Sequence, residues 1–143
     1  MRKLLSNKRL TILLFIILDI LSVGMGMGVP FLTIMLGFVV GWFLPIYLEL
    51  PEELSRESLR RIIITSAVTS LISFAVLCVI WLPALSWLFD PGKDLAQFGM
   101  PLLLFEPRAS FIGWIVLMVL ISPGLQFLMT LFGSIGYLAR KKA

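Results

Sequence analysis

The 143-residue sequence predicts an all-α fold: a polytopic integral membrane protein with four transmembrane helices in one bundle and both termini cytoplasmic. Three observations predict it. The chain is 59% hydrophobic and 14% charged, with a mean hydropathy of +1.05, whereas a soluble domain is about half apolar and about a quarter charged. Its apolar residues gather in four runs, each near the ~20 residues that cross a bilayer. Every charged residue except Asp19 falls between those runs or at their ends. A water-soluble fold of this size buries only about two-thirds of the surface its chain owns, so lipid is the expected solvent.

The spans cover about 10–28, 31–48, 62–82 and 111–138, and residues 1–143 make a single transmembrane domain, since no hydrophilic stretch is long enough for another. The first span follows MRKLLSNKR, which with LTILLFIIL resembles the start of a signal peptide. Asp19 interrupts that apolar stretch and no A-x-A-like site follows, so the segment is expected to remain as a span. The uncharged GMGMGVP stretch joins spans one and two as a tight hairpin, with Pro30 opening the second helix. The connection ELPEELSRESLRR is expected to be helical from Pro51, with Glu52 and Glu53 in its first turn, and to run into the third span as a solvated, ion-paired surface helix. The outer loop, 83–109, holds a short helix at about 91–98 between Asp90-Pro91 and Gly99. Its MPLLLF segment is too short to span and reads as a lid over the outer end. The fourth span is the longest, and Pro123-Gly124 near its middle predicts a tilt or bend, because proline removes a backbone donor and crowds the preceding turn.

Lysine and arginine set the orientation. Arg2, Lys3, Lys8, Arg9, Arg56, Arg60, Arg61, Arg140, Lys141 and Lys142 fall on one side; Lys93 and Arg108 fall on the other. Both termini are therefore expected in the cytoplasm, and the location is the cytoplasmic membrane. Trp81, Trp87 and Trp114 near the outer ends, with Tyr47 and Tyr137 near the inner ends, suit interfacial anchors.

Helices in lipid associate through close backbone approach and interhelical hydrogen bonds, so their contact faces are small and polar. Each span carries such a stripe: Asp19, Ser22 and Gly26; Thr33, Gly37, Gly41 and Pro45; Ser66, Thr69, Ser70 and Ser73; Ser122, Gln126, Thr130 and Gly133. Gly37 and Gly41, with Pro123 and Gly124, are the expected packing positions. Counting inward at 1.5 Å per residue, Asp19, Ser70, Ser73, Ser122 and Gln126 reach similar depth and form the candidate intramembrane polar site. No lysine, arginine or histidine lies within a span to neutralise Asp19. An ionised, unpaired carboxylate is costly there, which favours the protonated acid. Two roles follow. In one, Asp19 donates a hydrogen bond to a serine, to Gln126, or to the Val119 carbonyl that Pro123 frees. In the other, it faces a wet cavity and binds a proton, a cation or a cationic substrate.

The remaining chemistry is sparse. The chain has no histidine, hence no common metal ligand or general base. Its one cysteine, Cys78, lies in an apolar run and reads as a packing residue. GMGMG lacks the strand–turn–helix setting and lysine of a nucleotide loop. Asp90, Asp94, Glu106, Lys93 and Arg108 are the residues from which an external site would be built. No catalytic, metal or cofactor-binding residue is expected, and no nucleic acid, because topology already explains the basic residues. The expected partners are the lipid bilayer and either a second copy or another membrane subunit. The sequence thus favours a non-catalytic accessory or structural component of a membrane complex or homo-oligomer. The alternative is a small proton- or cation-coupled transporter or channel using Asp19, and an enzyme working through the outer-loop acids ranks last.

Overall fold

The computed structural model describes residues 8–25, 30–51, 55–95, 97 and 101–142. Among them are four helical rods and no strand. The first rod is α1, Lys8–Met25, and the second is α2, Phe31–Tyr47. The third is α3, Arg56–Trp81, continued by a 3₁₀ segment, Leu82–Phe89. The fourth runs through α4, Pro107–Val116, a π-turn, Leu117–Ile121, and α5, Ser122–Lys142. The third and fourth rods are long and apolar enough to cross a membrane; Leu10–Gly24 and Phe31–Tyr47 are shorter apolar helices. The GMGMGVP hairpin lies outside the described residues between Met25 and Pro30.

The ends and irregularities follow from local chemistry. Helix α3 does not begin at Pro51. Ser55 is its N-cap, accepting a hydrogen bond from the Ser58 amide at 3.0 Å, as serine does at exposed helix starts. Glu52 and Glu53 lie outside the described residues. The α winding stops after Trp81 because Pro83 has no N–H for the Val79 carbonyl and its ring crowds that turn. Glu106 caps α4 by accepting from the Arg108 and Ala109 amides, with Pro107 in the first helical turn. Helix α2 ends in a paired-bond cap: the Glu49 amide donates to the Ile46 carbonyl and the Leu50 amide to the Pro45 carbonyl. That cap needs a left-handed residue, and Glu49 supplies it at φ 51°.

The outer loop differs from expectation. Residues 91–95 and 97 form turns rather than a short helix over 91–98, of which 96 and 98 are not described. Asp90 does not start a helix; its carboxylate accepts the Gly92 amide at 2.9 Å, so Asp-Pro-Gly folds as a side-chain-closed turn. Residues 101–105 are held to α4 by two bonds. The Trp114 indole donates to the Pro101 carbonyl at 2.8 Å, and the Leu103 amide donates to the Ser110 hydroxyl at 2.6 Å. Leu102, Leu103, Leu104 and Phe105 remain exposed.

Helix α5 packs most extensively against α2 and next against α3, while α1 rests on α2 and α3. The rods therefore close a ring in the order α1, α2, α5, α3, with α1 and α5 facing each other across its middle. Two apolar clusters plug the ends. Leu95, Phe111, Ile115 and Val119 pack with Phe74, Cys78 and Trp81 at the loop end. Leu44, Ile62 and Leu138 pack with Tyr47, Leu50 and Tyr137 at the opposite end, where Arg56, Arg60, Arg61 and Arg140 lie. Between the clusters along α3 and α5, the buried residues include the polar Ser66, Ser73, Ser122, Gln126 and Thr130. The outside is apolar, with Leu13, Leu21, Val39, Leu71, Leu120 and Phe132 each about half exposed or more.

Candidate functional site

Helix α1 enters the ring by two residues. Phe15 and Asp19, one turn apart, are its buried residues among the described side chains. The i, i+4 spacing puts both on one stripe, and the flanking Leu14, Ile17, Leu18 and Ile20 are exposed. Asp19 has 0% of its surface accessible. Its carboxyl group crosses the ring to α5, where the Gln126 amide nitrogen donates to Oδ1 at 3.4 Å. Ser73 of α3 stands beside the same carboxyl group, although its hydroxyl lies outside hydrogen-bonding geometry.

The site is marked by what is left over. Asp19 Oδ2, Gln126 Oε1, Ser73 Oγ, Ser122 Oγ and Ser66 Oγ are buried without a hydrogen-bond partner. Buried polar atoms in native folds are nearly always paired, and an orphan costs about 1–3 kcal/mol. Three of these atoms, on Asp19, Gln126 and Ser73, belong to side chains that meet at the one carboxyl group.

Of the five residues in the expected polar site, the structure brings Asp19, Ser73 and Gln126 together. Ser70 is half-buried and engaged elsewhere: its hydroxyl donates to the Pro123 carbonyl at 2.7 Å and ties α3 to α5. Ser122 is fully buried, with its hydroxyl unpartnered. The Val119 carbonyl freed by Pro123 is not taken up by Asp19 Oδ2, which has no partner. Instead the chain widens into the π-turn Leu117–Ile121 just ahead of Pro123, a common way for a helix to absorb a missing donor.

The seam between α2 and α5 is of another kind. A Cβ added at Gly37 would fall on the Gln126 backbone and side chain, and one at Gly41 on the Thr130 backbone. From the other side, a Cβ at Gly133 would meet the Phe38 carbonyl and the Trp42 amide. The two backbones touch. Gly124 does not share in this: a Cβ there meets nothing within 4 Å, so it is not a packing position. It follows Pro123 on an outward-facing side of the rod.

One feature of this seam escapes a sequence reading. Pro45 lies inside α2 and leaves the Gly41 carbonyl, four residues back, without its helical donor. Ser134 of α5 replaces it, donating to the Gly41 carbonyl and the Thr130 carbonyl at 2.9 Å each. In the series Ser122, Gln126, Thr130, Ser134 the spacing of four was the available signal. Beside it, Trp42 packs edge-on to Tyr137 at 5.7 Å, and the Arg140 guanidinium lies 5.9 Å from the Trp42 ring.

Two of the outer-loop acids, Asp90 and Glu106, are committed to the backbone. Asp90 closes its turn and Glu106 caps α4, while Lys93 lies over the Trp87 ring at 5.5 Å. Among the described residues, no three His, Cys, Asp or Glu side chains gather as a metal site would require. An acid, an amide and hydroxyls can share a proton and exchange hydrogen bonds.

No family model, curated protein or solved structure matches this chain.

Proposed function

We propose that this chain is a four-span integral protein of the cytoplasmic membrane, with both termini cytoplasmic, and that its role is non-catalytic: an accessory or structural component of a membrane complex or of a homo-oligomer. The membrane reading is supported by burial that runs opposite to a soluble fold. Among the described residues, ten polar or charged ones are buried beside eleven hydrophobic ones, while leucine, isoleucine, valine and phenylalanine cover the outside. Water penalises both halves of that arrangement, and a bilayer penalises neither. Orientation rests on the distribution of lysine and arginine.

The single observation that carries the non-catalytic reading is the sealing of Asp19. It is the one acid placed mid-helix, its accessible surface is zero, and its bond to Gln126 joins two helices. A transported substrate needs a path to its binding group, whereas a fastener between helices does not. Native purification in mild detergent tests the role. A stoichiometric membrane subunit or a defined homo-oligomer is expected; repeated recovery as a lone monomer contradicts it.

A second reading has its own observation. The unpartnered Asp19 Oδ2 and Gln126 Oε1 suit a coupling acid in a small proton- or cation-driven transporter that opens in another conformation. Reconstitution separates the two. The transporter reading requires ion-driven flux that Asp19→Asn abolishes, and flux persisting in that variant removes Asp19 as the coupling group.

A further inference from the structure

The one bond between Asp19 and Gln126 leaves a matched pair of atoms idle. The Gln126 amide nitrogen reaches Asp19 Oδ1 at 3.4 Å. The other oxygen of the acid, Oδ2, and the other atom of the amide, Oε1, are both buried and both lack a partner. They belong to the same two side chains. With an ionised carboxylate, these two atoms are acceptors with no hydrogen between them. With a proton on Oδ2, the acid becomes a donor, and the carboxamide offers it an acceptor on the side its nitrogen does not use. Carboxylic acid and primary amide then close a ring with two hydrogen bonds, Nε2–H to Oδ1 and Oδ2–H to Oε1.

We propose that Asp19 and Gln126 are a binding site for one proton, which closes them into a two-bond acid–amide clasp fastening α1 to α5. This rests on the membrane reading above and specifies the ligand of the buried acid. Three further observations support it. Asp19 is 0% and Gln126 1% exposed, so hydration of a charge is not available at the site. Among the described residues, no charged group faces the carboxyl group from a neighbouring element. Helix α2 carries no charged residue, and those of α3 and of the α4–α5 rod are Arg56, Glu57, Arg60 and Arg61 at one start, Arg108 at the other, and Arg140, Lys141 and Lys142 at the end. Ser73 completes the lining with a hydroxyl still free to donate. A hard metal cation is the rival ligand for these oxygens. It takes about six or more oxygen ligands, and Asp19 Oδ2, Gln126 Oε1 and Ser73 Oγ supply three, with no accessible space for waters to complete the shell.

Infrared spectroscopy of the full chain in bilayers tests it. The wild type is expected to show, at neutral pH, the carbonyl stretch of a protonated carboxylic acid that Asp19→Asn lacks. Gln126→Leu should shift that band to higher frequency by removing its hydrogen bonds. Thermal unfolding in detergent adds a second arm. Asp19→Asn should keep the wild-type midpoint, since two amides form the same pair, while Asp19→Ala should lower it. Absence of the acid band in the wild type overturns the proposal, and so does a band unmoved by Gln126→Leu. An unfolding midpoint raised by sodium over choline at equal ionic strength, and only when Asp19 is present, overturns it in favour of a metal site. These outcomes leave the subunit reading untouched, which stands or falls on co-purification.

Discussion

The two seams that hold this bundle together are built on opposite principles. Between α2 and α5 the helices meet backbone to backbone over Gly37, Gly41 and Gly133, with no room for a single added carbon. At α1 the contact narrows to Phe15 and a carboxyl group, and the remainder of the helix presents leucine and isoleucine to the surroundings. The first seam draws on dispersion summed over many close atoms. The second draws on one polar contact between two fully buried side chains. The difference teaches that α2 and α5 form a rigid unit, while α1 is a separately attached strut whose attachment rests on two side chains, Phe15 and Asp19.

Substitutions can break this contrast. The largest effect is expected for Gly41→Val, whose side chain cannot avoid the Thr130 backbone. The helices must separate, at a cost of about 3 kcal/mol or more, read as loss of the folded fraction in detergent unfolding. Gly24→Ala and Gly124→Ala are the controls, since neither Cβ meets an atom. Both should be neutral or slightly stabilising, by at most about 1 kcal/mol. If they are as damaging as Gly41→Val, close approach is not what the seam requires.

On the α1 side, Phe15→Ala should cost about 1–2 kcal/mol, less than in a water-soluble core, because lipid solvates the ring when α1 detaches and only packing is lost. Proteolysis or crosslinking should then report release of α1 with α2 and α5 still associated. Simultaneous loss of both contacts would erase the distinction between the seams.

The proline-compensating bond makes a sharper test of the α2–α5 seam. Ser134→Ala leaves the Gly41 carbonyl bare and should cost about 1 kcal/mol. Pro45→Ala restores a backbone donor to that carbonyl, so in its presence Ser134→Ala should cost much less. A double-mutant cycle should return a coupling of at least about 0.5 kcal/mol. Strict additivity would show that Ser134 does not serve the carbonyl that Pro45 exposes.

Part of this was legible in the residues. Runs of apolar residues between charges locate the four rods. Gly37 and Gly41 announced a close contact, since four-residue spacing places them on one face. Asp19 stood out as a charge without a neighbour. What the sequence could not supply was adjacency. Nothing in a stripe of small residues says that α2 faces α5 rather than α3, so the Pro45–Gly41–Ser134 relay was invisible, and Gly124 looked like a packing glycine although it faces outward. Local competition misled at two points. Pro51 reads as a helix start, yet Ser55 caps the helix by accepting the Ser58 amide. Asp90-Pro91 reads as a helix cap, and the Gly92 amide instead closes a turn on the Asp90 carboxylate.

A comparably small effect, of opposite sign, lies at the end of α2. Glu49 holds a left-handed conformation that costs a side-chain-bearing residue about 1 kcal/mol. Glu49→Gly should therefore raise stability by roughly that amount, measured by the same unfolding assay, and a loss would mean that the carboxylate has a role the cap does not show.

The central claim is that hydrocarbon surrounds an apolar sheath around a polar interior. Spin labels placed singly at Leu14, Val39, Leu71 and Leu128, in a Cys78→Ala background and reconstituted in bilayers, test it by power saturation. Each should be relaxed strongly by oxygen, which concentrates in lipid, and weakly by a water-soluble nickel chelate. Strong relaxation by the chelate at these positions would place them in water and contradict the account.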